Sequence, residues 1–133
     1  MAKIHVDDLV KKLSEESYAE NSLEFSRSSK HDLYVEKLNS EIRNLYDVTI
    51  PHYTIFSKSK KTKKLVTKGE IDLLCVKGKT IHAYEVKCSN RITKAKHQLK
   101  KLKKNLFSQF SDIKEVKMFF YCGSSDILTS IFV

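Results

Sequence analysis

Two strand-like runs in the middle of the chain, Gly69 to Val76 and Thr80 to Cys88, carry Glu70 and Asp72 on the first and Glu85 and Lys87 on the second. Gly78-Lys79 between them suits a two-residue hairpin loop, because glycine at the first central position accepts the positive φ of a type II′ turn. That loop sets Asp72 opposite Glu85 and Glu70 opposite Lys87, and the period-2 alternation of a strand projects all four from one face. Two carboxylates at one cross-strand spacing repel unless a cation lies between them. Hard oxygen donors of this kind suit Mg²⁺, with Mn²⁺ as a substitute. The competing reading is a surface hairpin with two cross-strand salt bridges, which are weak when exposed.

The elements around these residues set their environment. Leu74, Val76, Ile81 and Ala83 share the ionisable face, and Ile71, Leu73, Cys75, Tyr84 and Val86 fill the other. A hairpin apolar on both faces belongs inside a sheet covered on two sides. Charges at its end cost folding free energy unless paired or metal-bound. Upstream, Lys30 to Tyr46 reads as a helix, with Tyr34, Val35, Leu38, Ile42, Leu45 and Tyr46 on one side. Val48 to Ser57 reads as a strand whose proline, Pro51, implies an edge position or a bulge. Lys58, Lys60, Lys61, Lys63 and Lys64 crowd the turn that follows, where ammonium groups can meet phosphates without reading bases. A solvated hairpin tip is the plainer reading of that turn.

Downstream, Ile92 to Phe107 carries an apolar stripe of Ile92, Ala95, Leu99, Leu102 and Leu106, so it should cover the sheet. Lys94 and Lys101, on the Gln98 side of this helix, are candidate phosphate contacts; a solvated face explains them equally. Val116 to Cys122 reads as a last buried strand, followed by an apolar tail to Val133 that serves either a homodimer interface or the monomer core. Val6 to Ser17 reads as a short helix, followed by a polar stretch to Lys30.

Gly69-Glu70-Ile71-Asp72-Leu73-Leu74, then a short turn and Tyr84-Glu85-Val86-Lys87, resembles the core signature of the PD-(D/E)xK nuclease superfamily, with Ile71 in place of the nominal proline. The resemblance covers Leu33 to Tyr121, and in size and motif order the chain is similar to small archaeal and viral Holliday-junction resolvases. It implies an α/β restriction-endonuclease-like fold: an α/β/α sandwich whose central mixed sheet has about four strands in core order α-β-β-β-α-β. It also implies a Mg²⁺-dependent deoxyribonuclease in which Asp72, Glu85 and the Val86 carbonyl hold metal and Lys87 assists the chemistry. Glu70 would steady Lys87 or join the metal shell. By the same resemblance Gln98 orients water or carboxylates, and a glutamate of the first helix completes the site. Family spacing favours Glu36 for that role, whereas the helical wheel places Glu41 nearer the apolar face. Leu102 stands where the exonuclease branches carry tyrosine in Q-x-x-x-Y, which points away from them.

With 133 residues, one domain is expected: an N-terminal helical and polar extension over 1–30 and a catalytic core over 31–122. Lys+Arg of 25 against Asp+Glu of 16 gives +9, which favours polyanionic partners, nucleic acid first with an anionic membrane surface behind it; the resemblance puts DNA ahead of RNA and implies no membrane. No membrane span or signal peptide is apparent, so an intracellular, cytoplasmic protein is expected. Cys75, Cys88 and Cys122 lack C-x-x-C spacing and read as buried thiols. A non-catalytic nucleic-acid-binding module on the same fold, or a basic assembly subunit, are the alternatives to an enzyme.

Overall fold

A computed structural model describes residues 29–131, so the helix expected over 6–17, with most of the extension, lies outside the described residues. The first helix, α1 (Lys30–Ile42), starts where Ser29 accepts a hydrogen bond from the Asp32 N–H and Asp32 places negative charge in the first turn. After a 3₁₀ turn, β1 (Val48–Lys58), β2 (Leu65–Lys77) and β3 (Thr80–Lys87) form an antiparallel meander. Helix α2 (Ile92–Gln109) then carries the chain to β4 (Glu115–Cys122), which pairs parallel to β3, and β5 (Ile127–Ile131) returns antiparallel.

The sheet is mixed, in the order β1-β2-β3-β4-β5. The fifth strand corrects the expected count of about four. The short apolar tail pairs along β4, with Met118 opposite Ile131 and Cys122 opposite Ile127. Only Ile131 is buried in it, and so sparse a burial pattern leaves no alternation to read. Pro51 lies in an edge strand, as its missing N–H requires. The register shift in β1 falls further on, between Ile55 and Phe56. Gly78 alone of the two loop residues has positive φ, the pattern of a type II′ turn.

Each helix covers one face. Val35, Leu38 and Ile42 of α1 bury against Leu73, Cys75, Tyr84, Val86 and Tyr121. Ala95, Leu99, Leu102 and Leu106 of α2 bury against Ile55, Leu74, Ile81, Ala83, Met118 and Phe120. Both helices thus lie where their apolar stripes direct them. Cys75 and Cys122 are buried, Cys88 is half-buried, and all three are free thiols. Cys88 lies at the end of β3, beyond the covered part of the sheet. No helix among the described residues is long and apolar enough to cross a membrane.

One glycine brings α1 close to the sheet. Gly123 leaves β4 with its N–H donated to the Lys87 carbonyl at 2.8 Å, and a Cβ there would run into the Tyr34 ring. Overpacking of a filled site costs about 1–3 kcal/mol. Gly123→Ala should lower the unfolding free energy by about that amount in urea titrations, whereas a change below about 0.5 kcal/mol would show that Tyr34 yields freely.

Candidate metal centre

β2 and β3 stay paired from Lys77 opposite Thr80 to Leu73 opposite Tyr84, the register expected from the Gly78-Lys79 loop, and then part. Beyond that point β2 is held by β1, with Tyr53 opposite Ile71 and Thr54 opposite Glu70, while β3 is held by β4, with Glu85 opposite Phe120 and Lys87 opposite Cys122. The fork leaves the Val86 N–H without a β2 carbonyl. Asp72 Oδ2 accepts it instead, at 2.8 Å, so a side-chain oxygen replaces a ladder bond.

Asp72 and Glu85 line this fork at 7% and 3% exposure. Burial, and after it the charge of Asp72, push Glu85 up to about 8, against the opposing pull of Lys87. Lys87 Nζ lies 3.2 Å from Glu85 Oε1, while Glu85 Oε2 is buried without a hydrogen-bond partner. A buried, unpartnered carboxyl oxygen is costly. That oxygen, the Asp72 carboxylate and the Val86 carbonyl are the hard oxygen donors of the fork, the type that a divalent cation takes.

A residue not foreseen from the sequence reaches into the same fork. His31, in the first turn of α1, places Nε2 3.0 Å from the Val86 carbonyl oxygen and 3.3 Å from Asp72 Oδ2. Burial opposes charge on this imidazole, but Asp72 beside it, with hydrogen bonds to Asp72, Asp32 and Val86, outweighs burial and raises its pKa. When protonated, His31 places positive charge between two of the oxygens that would hold metal. On α1, Glu36 and Glu41 are both exposed, and the residues of α1 that approach the fork are His31 and Asp32. Glu36 follows His31 by five positions, about 140° around the helix, which carries it away from the fork.

The other expected residues are placed as follows. Glu70 does not meet Lys87; its Oε1 lies 2.9 Å from His52 Nδ1, because β2 has turned with β1 while Lys87 stays with β3. Gln98 is half-buried on α2, with its Oε1 buried and unpartnered. Lys60, Lys61, Lys63 and Lys64 are exposed around the β1–β2 tip, Lys58 closes β1, and Lys94 and Lys101 are exposed on α2. The structure thus brings Asp72, Glu85, Val86 and Lys87 together and adds His31, with His52 and Glu70 alongside. No spacing along the chain singled out either histidine, although His31 falls in the first turn of α1 and His52 directly follows the lone proline.

No protein-family model matches the chain, and no curated protein is significantly similar to it.

Both perturbed groups tie stability to pH in one direction. Between the unfolded value of 4.5 and about 8, folded Glu85 holds a proton that the unfolded chain has released, so stability falls as pH rises through that window. His31, raised above 6.5, adds stability at low pH that is likewise lost as pH rises through its folded value. With divalent cations chelated, the urea midpoint should decline from about pH 5 to about pH 8, and Glu85→Gln should remove most of that slope. A midpoint that holds steady or rises in wild type would contradict the buried, proton-retaining Glu85.

Proposed function

We propose that this chain is a divalent-metal-dependent endonuclease that hydrolyses phosphodiester bonds, of DNA ahead of RNA, in the manner of the PD-(D/E)xK superfamily. The observation that carries the reading is the fork itself, where Asp72 and Glu85 are buried side by side with a lysine 3.2 Å from Glu85 and one carboxyl oxygen lacking a partner. Two carboxyl groups buried side by side are costly to a structural core. An ion-binding site uses them, and the order of residue types along β2 and β3 matches the nuclease signature.

Asp72, Glu85 and the Val86 carbonyl are the residues that would hold the ion. What it supplies when bound is Lewis-acid charge, which polarises a phosphate oxygen and lowers the pKa of water. The chain's own groups do the remainder. Lys87, with its side chain one-fifth exposed, is open enough to reach a substrate. Its ammonium can orient a water and stabilise charge developing on phosphate. The Val86 N–H fixes one Asp72 oxygen, so that carboxylate needs no reorganisation when substrate arrives. His31, whose Nε2 lies between the Val86 carbonyl and Asp72 Oδ2, occupies the space a cation would need and would have to turn aside to admit one.

The exposed lysines of the β1–β2 tip, with Lys94 and Lys101, provide the electrostatic footprint of a backbone-binding protein. They carry no base readout. Branched or junction DNA is the substrate class proposed, following the resemblance to small resolvases.

The test is cleavage of end-labelled duplex, single-stranded, flap and four-way-junction DNA with Mg²⁺, Mn²⁺ or chelator. Wild type should cut only with metal. Asp72→Ala should abolish cutting, and Lys87→Ala should slow it on the order of 10²–10³-fold, the usual cost of one charge-stabilising donor. Binding without cutting under every metal would instead favour a non-catalytic nucleic-acid-binding module.

A further inference from the structure

His52, Glu70 and Asp72 bring one nitrogen and two carboxylate donors within 4.8 Å of one another, on the side of Asp72 away from Glu85's strand. Glu70 Oε1 lies 2.9 Å from His52 Nδ1, and the other ring nitrogen, Nε2, lies 3.6 Å from Asp32 Oδ1. The backbone bends to make this arrangement. His52 has φ of 53 in the middle of β1, a left-handed conformation, and the His52–Asp72 pair is missing from a ladder that holds Pro51 opposite Leu73 and Tyr53 opposite Ile71. A non-glycine residue in this region costs about 1 kcal/mol or more and persists where its surroundings over-determine it. An ordinary edge-strand histidine would need no such bend.

We propose that His52, Glu70 and Asp72 form a second cation site, which shares Asp72 with the Asp72–Glu85–Val86 site and selects a transition-metal dication over Mg²⁺. The inference rests on the first site being a metal site. Its selectivity follows from the donors. Imidazole nitrogen binds Mn²⁺ and the later first-row ions, whereas Mg²⁺ demands a hard oxygen octahedron. The first site offers oxygen from Asp72, Glu85 and Val86; the second offers nitrogen from His52. Asp72 has two carboxylate oxygens, so it can serve both. His52 and Glu70 are exposed, so ions reach this site without local opening, whereas Glu85 is buried. The pair therefore differs in both hardness and access. Mn²⁺ should fill both sites and Mg²⁺ should fill one.

The experiment counts Mn²⁺ bound per chain by electron paramagnetic resonance on the intact 133-residue protein, with Mg²⁺ as competitor. Wild type should bind two Mn²⁺ at saturation, and a large excess of Mg²⁺ should displace one. His52→Gly, which removes the ligand and suits the left-handed backbone, should leave one, and so should Glu70→Gln, which leaves the backbone untouched. Glu85→Gln should weaken the Mg²⁺-competed ion and spare the other. One Mn²⁺ per wild-type chain, two Mn²⁺ remaining in both His52→Gly and Glu70→Gln, or displacement of both ions by Mg²⁺ would each overturn the second site. A single Mn²⁺ lost in Glu85→Gln but kept in Glu70→Gln would overturn the second site while leaving the first intact. No Mn²⁺ at all would remove both.

Discussion

The structure turns on the parting of β2 from β3 beyond Leu73 and Tyr84, with two carboxyl groups buried in the gap. An antiparallel ladder that continued would have satisfied every backbone group and left no room for chemistry. Here the ladder ends, the Asp72 side chain takes the orphaned Val86 N–H, and Glu85 keeps an oxygen with no partner. Folding alone does not favour that outcome, since each buried, unpaired polar atom costs on the order of 1–3 kcal/mol. A bound dication would offset this cost by giving the unpartnered oxygen a positive partner.

Everything around the gap keeps its two prongs in place. β1 carries β2 to one side and β4 carries β3 to the other, so the fork is held by ladders on its outer edges. The absence of a Cβ at Gly123 lets Tyr34 settle against β4, and this close seating of α1 delivers His31 between Asp72 and the Val86 carbonyl. On the far face the α2 stripe buries Leu74 and Ala83 and also Ile71, which strict alternation had placed with Leu73 on the α1 face. The same glycine-poor, tightly packed sheet that stabilises the domain therefore also fixes the geometry of the charged groups within it.

Much of this was legible in the residues. Apolar periodicity located both helices and the first four strands, and Gly78-Lys79 set the β2–β3 register that the structure has. The candidate site was legible in part: Asp72, Glu85 and Lys87 come together near the end of one hairpin, although the ladder stops at Leu73 opposite Tyr84, one pair short of the expected Asp72–Glu85. Contacts that depend on the sheet splitting were not legible. The expected Glu70–Lys87 pair assumes a ladder that runs on, whereas the fork sends Glu70 to His52. His31 was invisible for a related reason, since its place follows from how α1 is seated and not from any spacing along the chain. β5 escaped because one buried residue in five gives no alternation.

The central claim is that the Asp72–Glu85 pair exists to hold a divalent cation. Its most direct test is titration calorimetry with Mg²⁺ at neutral pH in two buffers of different ionisation enthalpy. Because Glu85 is protonated there in the metal-free protein and must ionise to bind, the account predicts release of about one proton per ion, seen as a buffer-dependent heat. Binding heat identical in the two buffers, or no binding at all, would contradict it.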